Sequence, residues 1–190
     1  MSNKYFILIV FNFIFAQVFT DISFVGSRSI ATAGTVVSNP KSSECVFYNP
    51  AGLAKSEQIS FLIGHNDLYN RSFINHNYLS IVLPSKIYKR SILHFLFGDI
   101  SSGLSLSYQN LQTSYGKNSS TFGSFTKDLS RETAITLSHG IDLLNDRHSS
   151  LSFGYNLNYM LFYQAPSAGP DGNGLNGLPA GESGTLTLDV

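Results

Sequence analysis

The sequence is poor in cysteine and has no cluster of basic residues. It contains one cysteine, Cys45, in 190 residues, so it can form no internal disulfide, and a zinc site would need several further ligands. Twelve basic and twelve acidic residues cancel, and they form no basic cluster of the kind that attracts nucleic acid. We therefore predict no metal, no cofactor and no nucleic-acid partner, and we interpret Cys45 as a small packed side chain.

Charged residues are scarce as well. They make up 13% of the chain, against about 25% in an average soluble domain. No G-x-S-x-G nucleophile elbow is present, and Asp128 and Glu132 beside Ser130 are typical of solvated loop charges. The five histidines are scattered without ligand spacing: His65, His76, His94, His139 and His148. These features favour a protein that is not an enzyme.

One apolar run stands out, and it is too short to span a membrane. Lys4 precedes eleven residues from Tyr5 to Phe15 that are apolar except for Asn12, and Ala16 follows as a small residue. A membrane helix needs about 20 apolar residues, whereas a short apolar run of this kind is typical of a cleavable signal peptide. We predict a signal peptide over residues 1–16 and export of the mature chain.

The body of the sequence alternates between apolar and polar residues. Leu151 to Tyr163 is the longest case, and Gly103–Asn110, Thr133–Ile141 and Ile59–Ile63 repeat the pattern. Asn75–Leu83 and Ile92–Phe97 are predicted strands with mixed faces, which either a bulge or burial on both sides would produce, and "GTLTLDV" at 184–190 begins a further strand. Turn residues separate the strands at 70–72, 84–85, 99–103, 116–120 and 145–146, so the pattern predicts an antiparallel meander.

Two architectures present alternating strands in series, a soluble β-sandwich and a transmembrane barrel. The non-apolar positions here are mostly Ser, Asn, Gly and Thr, which suit a barrel lumen better than the charged outer face of a sandwich. Leu151–Tyr163 has the length of a tilted membrane strand and carries tyrosines on its apolar face. The sequence therefore predicts an all-β fold in which residues 57–190 form about six to seven strands of an antiparallel transmembrane barrel.

Two short motifs in the C-terminal part carry little weight. "GNGLNG", Gly172 to Gly177, matches a dinucleotide pattern, but Pro179 and Gly181 follow where a helix would have to begin. Asp171, Asn173 and Glu182 occupy ligand positions of a calcium loop, but other required positions do not fit. We predict that Ala165–Gly184 forms a long external loop.

The segment "GSRSIATAGTVVSNPKSSECVFYNPAGLAKSEQISFLIGH" resembles the N-terminus of the PorV/PorQ family of outer-membrane barrels, which are similar to the long-chain fatty-acid transporter FadL. The match covers the segment before the first strand and the first strands themselves. Later strands share only the general pattern of the family's strands. The matching positions are Gly26, Arg28, Ala33, Gly34, Asn49, Pro50, Ala51, Gly52 and Leu53.

The resemblance implies an N-terminal plug, over residues 17–56, that folds inside the barrel and contains one short helix. Pro50 fixes one φ angle and restricts Asn49, and Gly52 permits a turn that other residues resist. Pro40 with Ser42 and Ser43 predicts the start of the short helix, and Pro50 with Gly52 predicts its end. The phrase Asn49–Leu53 is thus predicted to be a rigid corner that seats the plug against the wall, where the first strand begins, and acts as a hinge between plug and barrel.

The same resemblance implies a function in the Gram-negative outer membrane, either in type IX secretion and surface attachment of secreted proteins or, as in FadL, in transport of hydrophobic compounds. The implied partners are outer-membrane lipid together with secretion components and cargo, or hydrophobic small molecules. A soluble or surface β-sandwich that binds a partner is the third hypothesis. Because family barrels contain about twice as many strands, we expect the chain to be an N-terminal fragment, the alternative being a small barrel of about eight strands.

Overall fold

A computed structural model describes residues 25–33, 43–68, 73–84, 86, 101–119, 123–146, 149–166 and 180–189. The predicted signal peptide lies outside these residues. The helices are α1 (Ser27–Ala31), α2 (Cys45–Tyr48) and a 3₁₀ helix (Pro50–Lys55). The strands are β1 (Ser60–Leu68), β2 (Ile74–Pro84), β3 (Ser102–Ser119), β4 (Gly123–Asn145), β5 (Ser150–Gln164) and β6 (Gly181–Asp189). No helix in the described ranges is long and apolar enough to cross a bilayer.

The strands form one antiparallel sheet of six strands in the order β1-β2-β3-β4-β5-β6. Each strand pairs with the next one along the chain, so the predicted meander is confirmed. The register shifts twice, between Thr113 and Ser114 and between Asp142 and Leu144. Within the described residues β1 and β6 do not pair with each other, so the sheet is open.

One face of the sheet, here called the outer face, carries two unbroken apolar rows that cross all six strands. Cross-strand pairing aligns Ile63, Leu79, Tyr108, Ile135, Tyr159 and Leu186 in one row. It aligns Phe61, Ile81, Leu106, Leu137, Leu157 and Leu188 in the next. Ile63 is 81% exposed and Phe61 is 70% exposed. Because side chains alternate along a strand with a period of two, the alternation in the sequence places all twelve on one face.

Further along the strands the outer face becomes polar. Two rows there, the polar rows, consist of His65, Asn77, Asn110, Thr133, Leu161 and Gly184, then Asp67, Asn75, Gln112, Arg131, Tyr163 and Glu182. His65 and Asn77 share a hydrogen bond of 2.8 Å, and the Asn110 amide donates to the Thr133 hydroxyl at 2.9 Å. The outer face therefore changes from apolar to polar along the strand direction.

The opposite face, the inner face, is lined by small residues. Gly103 pairs with Gly140, which in turn pairs with Gly154, and we call these three residues the glycine ledge. The next two rows contain Ser105, Ser138 and Asn156, then Ser80, Ser107, Thr136 and Asn158. Most of these side chains are buried. The small polar positions predicted from the alternation thus lie together on the inner face.

Strand β2, predicted with mixed faces, buries alternate residues in the structure. Its pairings with β1 and β3 contain no register shift, so a bulge is not the cause. Tyr78 and Val82 are buried on the inner face, whereas Leu79 is exposed on the outer one. Because Leu79 is exposed on the outer face, burial on both sides is not the cause either, and β2 fully buries only its inner face.

Several strands extend beyond their predicted ends, and two of them, β3 and β6, enter segments that were predicted as a turn and a loop. The predicted turn at 116–120 is wrong, because β3 continues through Gly116 to Ser119 and pairs with β4 from Gly123. β6 begins at Gly181, inside the predicted external loop, and pairs Glu182 with Tyr163. Hairpin pairing satisfies backbone groups whatever the side chains are, so polar sequence does not end it. The predicted strand Ile92–Phe97 and the predicted turn at 70–72 lie outside the described residues.

Candidate functional site

Two short helices, α2 and the 3₁₀ helix, meet at Asn49 and Pro50. Asn49 has φ −152° and ψ 89°, in the extended region that a residue before proline prefers. Its side-chain oxygen accepts a hydrogen bond from the Ala51 N–H at 3.2 Å, and Pro50 occupies the first turn of the 3₁₀ helix. Proline suits that position because its missing N–H needs no partner there. The predicted short helix exists as α2, but Pro50 begins a second helix where the sequence predicted an end.

The 3₁₀ helix lies directly on the glycine ledge. A Cβ atom at Gly103 would come within 2.1 Å of the Leu53 carbonyl oxygen, and one at Gly140 within 2.4 Å of the Pro50 carbonyl oxygen. A Cβ atom at Gly154 would come within 2.1 Å of the Ala51 nitrogen. Such distances are far shorter than a van der Waals contact, in which the two atoms are about 3.5 Å apart or more. Helix backbone therefore packs on strand backbone, and only glycine fits at these three positions.

Side chains hold this segment from both ends. Leu53 is fully buried and packs in one cluster with Cys45, Val46 and Val82, so α2 and the 3₁₀ helix share an apolar contact with β2. The Ser101 hydroxyl donates to the Ala54 carbonyl at 2.9 Å, and the Lys55 ammonium donates to the Ser150 hydroxyl at 3.3 Å. We call residues 43–56 the docked segment.

The chain around α1 is tied to the docked segment. Gly26 precedes α1 with φ 89°, a conformation that glycine adopts without strain. Glu44 is buried and its Oε1 accepts from the Arg28 backbone N–H at 3.3 Å. The Tyr48 hydroxyl accepts from the Val25 N–H at 2.6 Å and donates to the Val25 carbonyl at 3.0 Å. Two of the predicted motif residues, Gly26 and Arg28, are thereby brought against the docked segment.

Several predicted roles differ from the contacts observed. Gly52 is buried within the 3₁₀ helix, and Gly26 is the glycine with positive φ in the described part of the chain, so Gly52 does not provide a special turn. Arg28 contributes its backbone N–H. The phrase Asn49–Leu53 rests against β3, β4 and β5, so it is seated on the sheet, and its role as a hinge stays a prediction. Gly34 lies outside the described residues.

The glycine ledge was not among the features predicted from the sequence. Each of its members is the one glycine at an inward position of its alternating strand, in "GLSLSYQN", "LSHGI" and "LSFGYN". That signal was visible, but the register that aligns the three glycines depends on strand lengths that extend past the apolar pattern. A row of small residues can be recognised as a packing site only when the residues that pack on it are known.

Burial in the docked segment controls the chemistry of the one thiol. Desolvation raises the pKa of Cys45 to about 12, so at neutral pH almost none of it is the nucleophilic thiolate. The thiol is 2% exposed. Alkylation of Cys45 therefore reports whether the docked segment has left its seat.

Removing the Asn49 cap is expected to loosen the docked segment. Asn49→Ala eliminates the acceptor for the Ala51 N–H, and loss of such a cap costs about 1 kcal/mol. That free energy corresponds to roughly fivefold faster alkylation of Cys45 through the undocked state. Asn49→Asp keeps the acceptor oxygen and serves as the control. An unchanged rate in Asn49→Ala would show that the cap does not hold the segment.

The polar residues singled out from the sequence are bonded to their strand neighbours. His76 Nε2 contacts Gln109 Oε1 at 3.2 Å, and His139 Nδ1 contacts the Tyr155 hydroxyl at 3.2 Å. Asp128 forms an ion pair with Arg131 at 2.9 Å. The described ranges contain no group of three possible metal ligands. His94, His148, Asp171, Asn173 and the motif "GNGLNG" lie outside the described residues.

A cavity of about 490 Å³ is lined mainly by outer-face residues of β4, β5 and β6, together with Phe162 and Ser183 at inner-face positions. It opens where the polar rows begin on β4, β5 and β6. Its lining includes Arg131, Tyr159, Leu161, Tyr163 and Glu182. The docked segment contributes no residue to this lining, so the two are separate features. Comparison of the chain with protein-family models, with curated proteins and with solved structures yields no match.

Proposed function

We propose that the six strands are part of the wall of an outer-membrane β-barrel of the PorV/PorQ type and that the docked segment is its plug. One observation carries the proposal: the two faces of a single sheet have opposite surroundings. The inner face holds small polar residues and the docked segment, while the outer face carries two exposed apolar rows across every strand. A barrel wall between lipid and a polar lumen needs this division.

The proposed barrel needs pairing partners for its two edge strands. A bilayer offers no water to bond the free N–H and C=O groups of β1 and β6, so an open sheet does not persist in lipid. The proposal therefore includes further strands, from the same polypeptide or from another copy, that join β1 to β6. The six strands described above then form one contiguous section of the wall.

Within such barrels we propose a role in type IX secretion or in surface attachment of secreted proteins. The support is the resemblance of Gly26, Arg28 and Asn49–Leu53, residues that lie in or against the docked segment in this chain. The secreted proteins and the other secretion components would be its partners. Outer-membrane lipid would surround the outer face.

Transport of hydrophobic compounds, as in FadL, is the alternative. It calls for a pocket between plug and wall, lined by apolar side chains with one or two basic residues. At the glycine ledge the 3₁₀ helix instead contacts the wall backbone to backbone, which leaves no room for a ligand there. In the part of the chain that the structure describes, a cavity with a basic residue, Arg131, is lined mainly by outer-face residues. The contacts at the glycine ledge therefore do not supply the pocket that transport calls for.

A soluble sandwich is the remaining alternative. In a sandwich the apolar face of each sheet is covered by a second sheet about 10 Å away. In this chain the helices occupy the polar face instead, and Phe61, Ile63 and Leu186 stay exposed on the apolar one. This arrangement favours lipid as the cover of the outer face.

The proposal is tested by fractionating membranes of cells that express the full-length product. We expect the protein in the outer-membrane fraction and a band whose migration changes on boiling, as folded barrels give. A soluble product that is insensitive to heating would contradict the barrel. Deletion of the gene is expected to stop secretion of cargo, and unchanged secretion with lost uptake of lipid would support transport instead.

A further inference from the structure

The cavity on the outer face extends from an apolar end to a charged end. Tyr159, from the apolar rows, forms its lower part. Thr133, Leu161 and Gly184 of the first polar row come next, followed by Arg131, Tyr163 and Glu182 of the second polar row. Phe162 and Ser183, which alternate with these outward residues, also line the cavity. A molecule that fills this cavity must itself be amphipathic, with its polar end toward the polar rows.

Gly184 contributes to the recess because it carries no side chain. A Cβ atom there would lie 3.4 Å from Leu161 Cδ2 and 3.8 Å from the Tyr159 hydroxyl, which are ordinary contacts. The position thus has room for a side chain but carries none, unlike Leu186, its neighbour in the apolar rows. The resulting space lies between strands whose other outward residues are large.

The charged end combines both signs. Arg131 and Glu182 are two strands apart in one row, with the Tyr163 ring between them. The Arg131 side chain is 49% exposed and its Nη2 bonds Asp128, which leaves further N–H donors on the same guanidinium. Together with Asp128, the two carboxylates outnumber the one guanidinium, so a purely anionic headgroup meets net repulsion, whereas a zwitterion meets a partner for each charge.

We propose that this cavity binds a phospholipid with a phosphoethanolamine headgroup. The Arg131 guanidinium binds the phosphate, and the Glu182 carboxylate accepts hydrogen bonds from the primary ammonium, which also lies against the Tyr163 ring. The acyl chains continue along Tyr159 and Leu186. This inference rests on the proposed function, because it requires the outer face to meet lipid.

The test uses the full chain purified in detergent and supplied with equal amounts of phosphatidylethanolamine, phosphatidylcholine and phosphatidylglycerol of identical acyl chains, with bound lipid measured by native mass spectrometry. We expect about tenfold preference for phosphatidylethanolamine over phosphatidylglycerol, since one lost charged contact is worth roughly a factor of ten. Glu182→Gln is expected to remove the preference, and Gly184→Leu is expected to abolish retention of all three lipids. Gly181→Leu is the matched control, because nothing lies within 4 Å of a Cβ atom there.

The outcomes separate this inference from the proposed function. A heat-modifiable, outer-membrane protein that retains the three lipids equally, or whose Glu182→Gln variant keeps the preference, would overturn the lipid site and leave the barrel standing. Equal retention by Gly184→Leu and Gly181→Leu would also overturn it. A product that is soluble without detergent would overturn both proposals.

Discussion

Arginine at position 137 is expected to prevent formation of the folded, heat-modifiable protein. Leu137 lies in the apolar rows, on a central strand, and its side chain is 48% exposed. If that side chain faces lipid, an arginine near the bilayer midplane costs about 2 to 4 kcal/mol. This is a large part of the about 5 to 15 kcal/mol that stabilises a typical protein. The measurement is the fraction of outer-membrane protein that shows a heat-modifiable band.

Leu129→Arg is the matched control for Leu137→Arg. Leu129 is on the same strand and is 43% exposed, but it lies eight residues further along, roughly 27 Å at strand spacing. It is therefore well beyond the apolar rows, and we expect the substitution there to leave folding intact. In a water-soluble sheet both positions would tolerate arginine within about 0.5 kcal/mol. Equal folding of the two variants would contradict a lipid-facing outer face.

Gly154→Ala is expected to release the docked segment from the sheet. The added methyl would come within 2.1 Å of the Ala51 nitrogen and 2.4 Å of the Pro50 carbonyl carbon. Both are backbone atoms, which cannot rotate away. Overpacking of this kind costs about 1 to 3 kcal/mol, and loss of the seat also exposes Leu53, whose burial contributes about 2 kcal/mol. We expect the sheet to persist and the 3₁₀ helix to leave it.

The buried thiol provides the readout for this release. Burial protects Cys45 and raises its pKa to about 12. When the segment undocks, the pKa of the thiol returns toward its ordinary value of about 8.5. A change of about 3 kcal/mol in docking corresponds to roughly a hundredfold faster alkylation. Gly184→Ala, where the new methyl makes only ordinary contacts, is expected to leave the rate unchanged. If both variants react at the same rate, the glycine ledge is not the seat.

The same pKa shift gives the seat a pH dependence. The folded state holds the Cys45 proton more tightly than the unfolded state, because burial raises the pKa to about 12. The contribution of docking is therefore complete below the unfolded pKa and is lost as the pH rises from about 8.5 toward 12. Over this pH range, the rate of Cys45 alkylation should rise by a larger factor than the ionisation of an exposed thiol alone produces.

The sequence predicted the faces of the sheet well, because a period of two fixes which residues share a face once a strand is recognised. Leu151–Tyr163 and Gly103–Asn110 both lie within observed strands with the predicted alternation. The strand ends were less predictable. Gly116 marks a turn by its residue type, yet β3 runs through it, since pairing with β4 satisfies its backbone groups whatever its propensity.

The candidate site was predictable only in part. Asn49 and Pro50 could be singled out because an Asn-Pro pair restricts the local backbone, and the cap that Asn49 forms is a local contact. The glycine ledge on which they pack could not be predicted, because Gly103, Gly140 and Gly154 are aligned only through the register of three strands. Long-range alignment of this kind leaves no mark in any short stretch of sequence.

The central claim is that one face of the sheet meets lipid, and tryptophan substitution along β5 tests it most directly. The chain contains no tryptophan, so a single one introduced at 159, 160 or 161 is the only indole in the protein. Tyr159 and Leu161 point outward, and Met160 points inward. In vesicles of brominated phospholipid we predict strong quenching at 159 and 161 and little at 160. Equal quenching at all three positions, or none at any, would contradict the account.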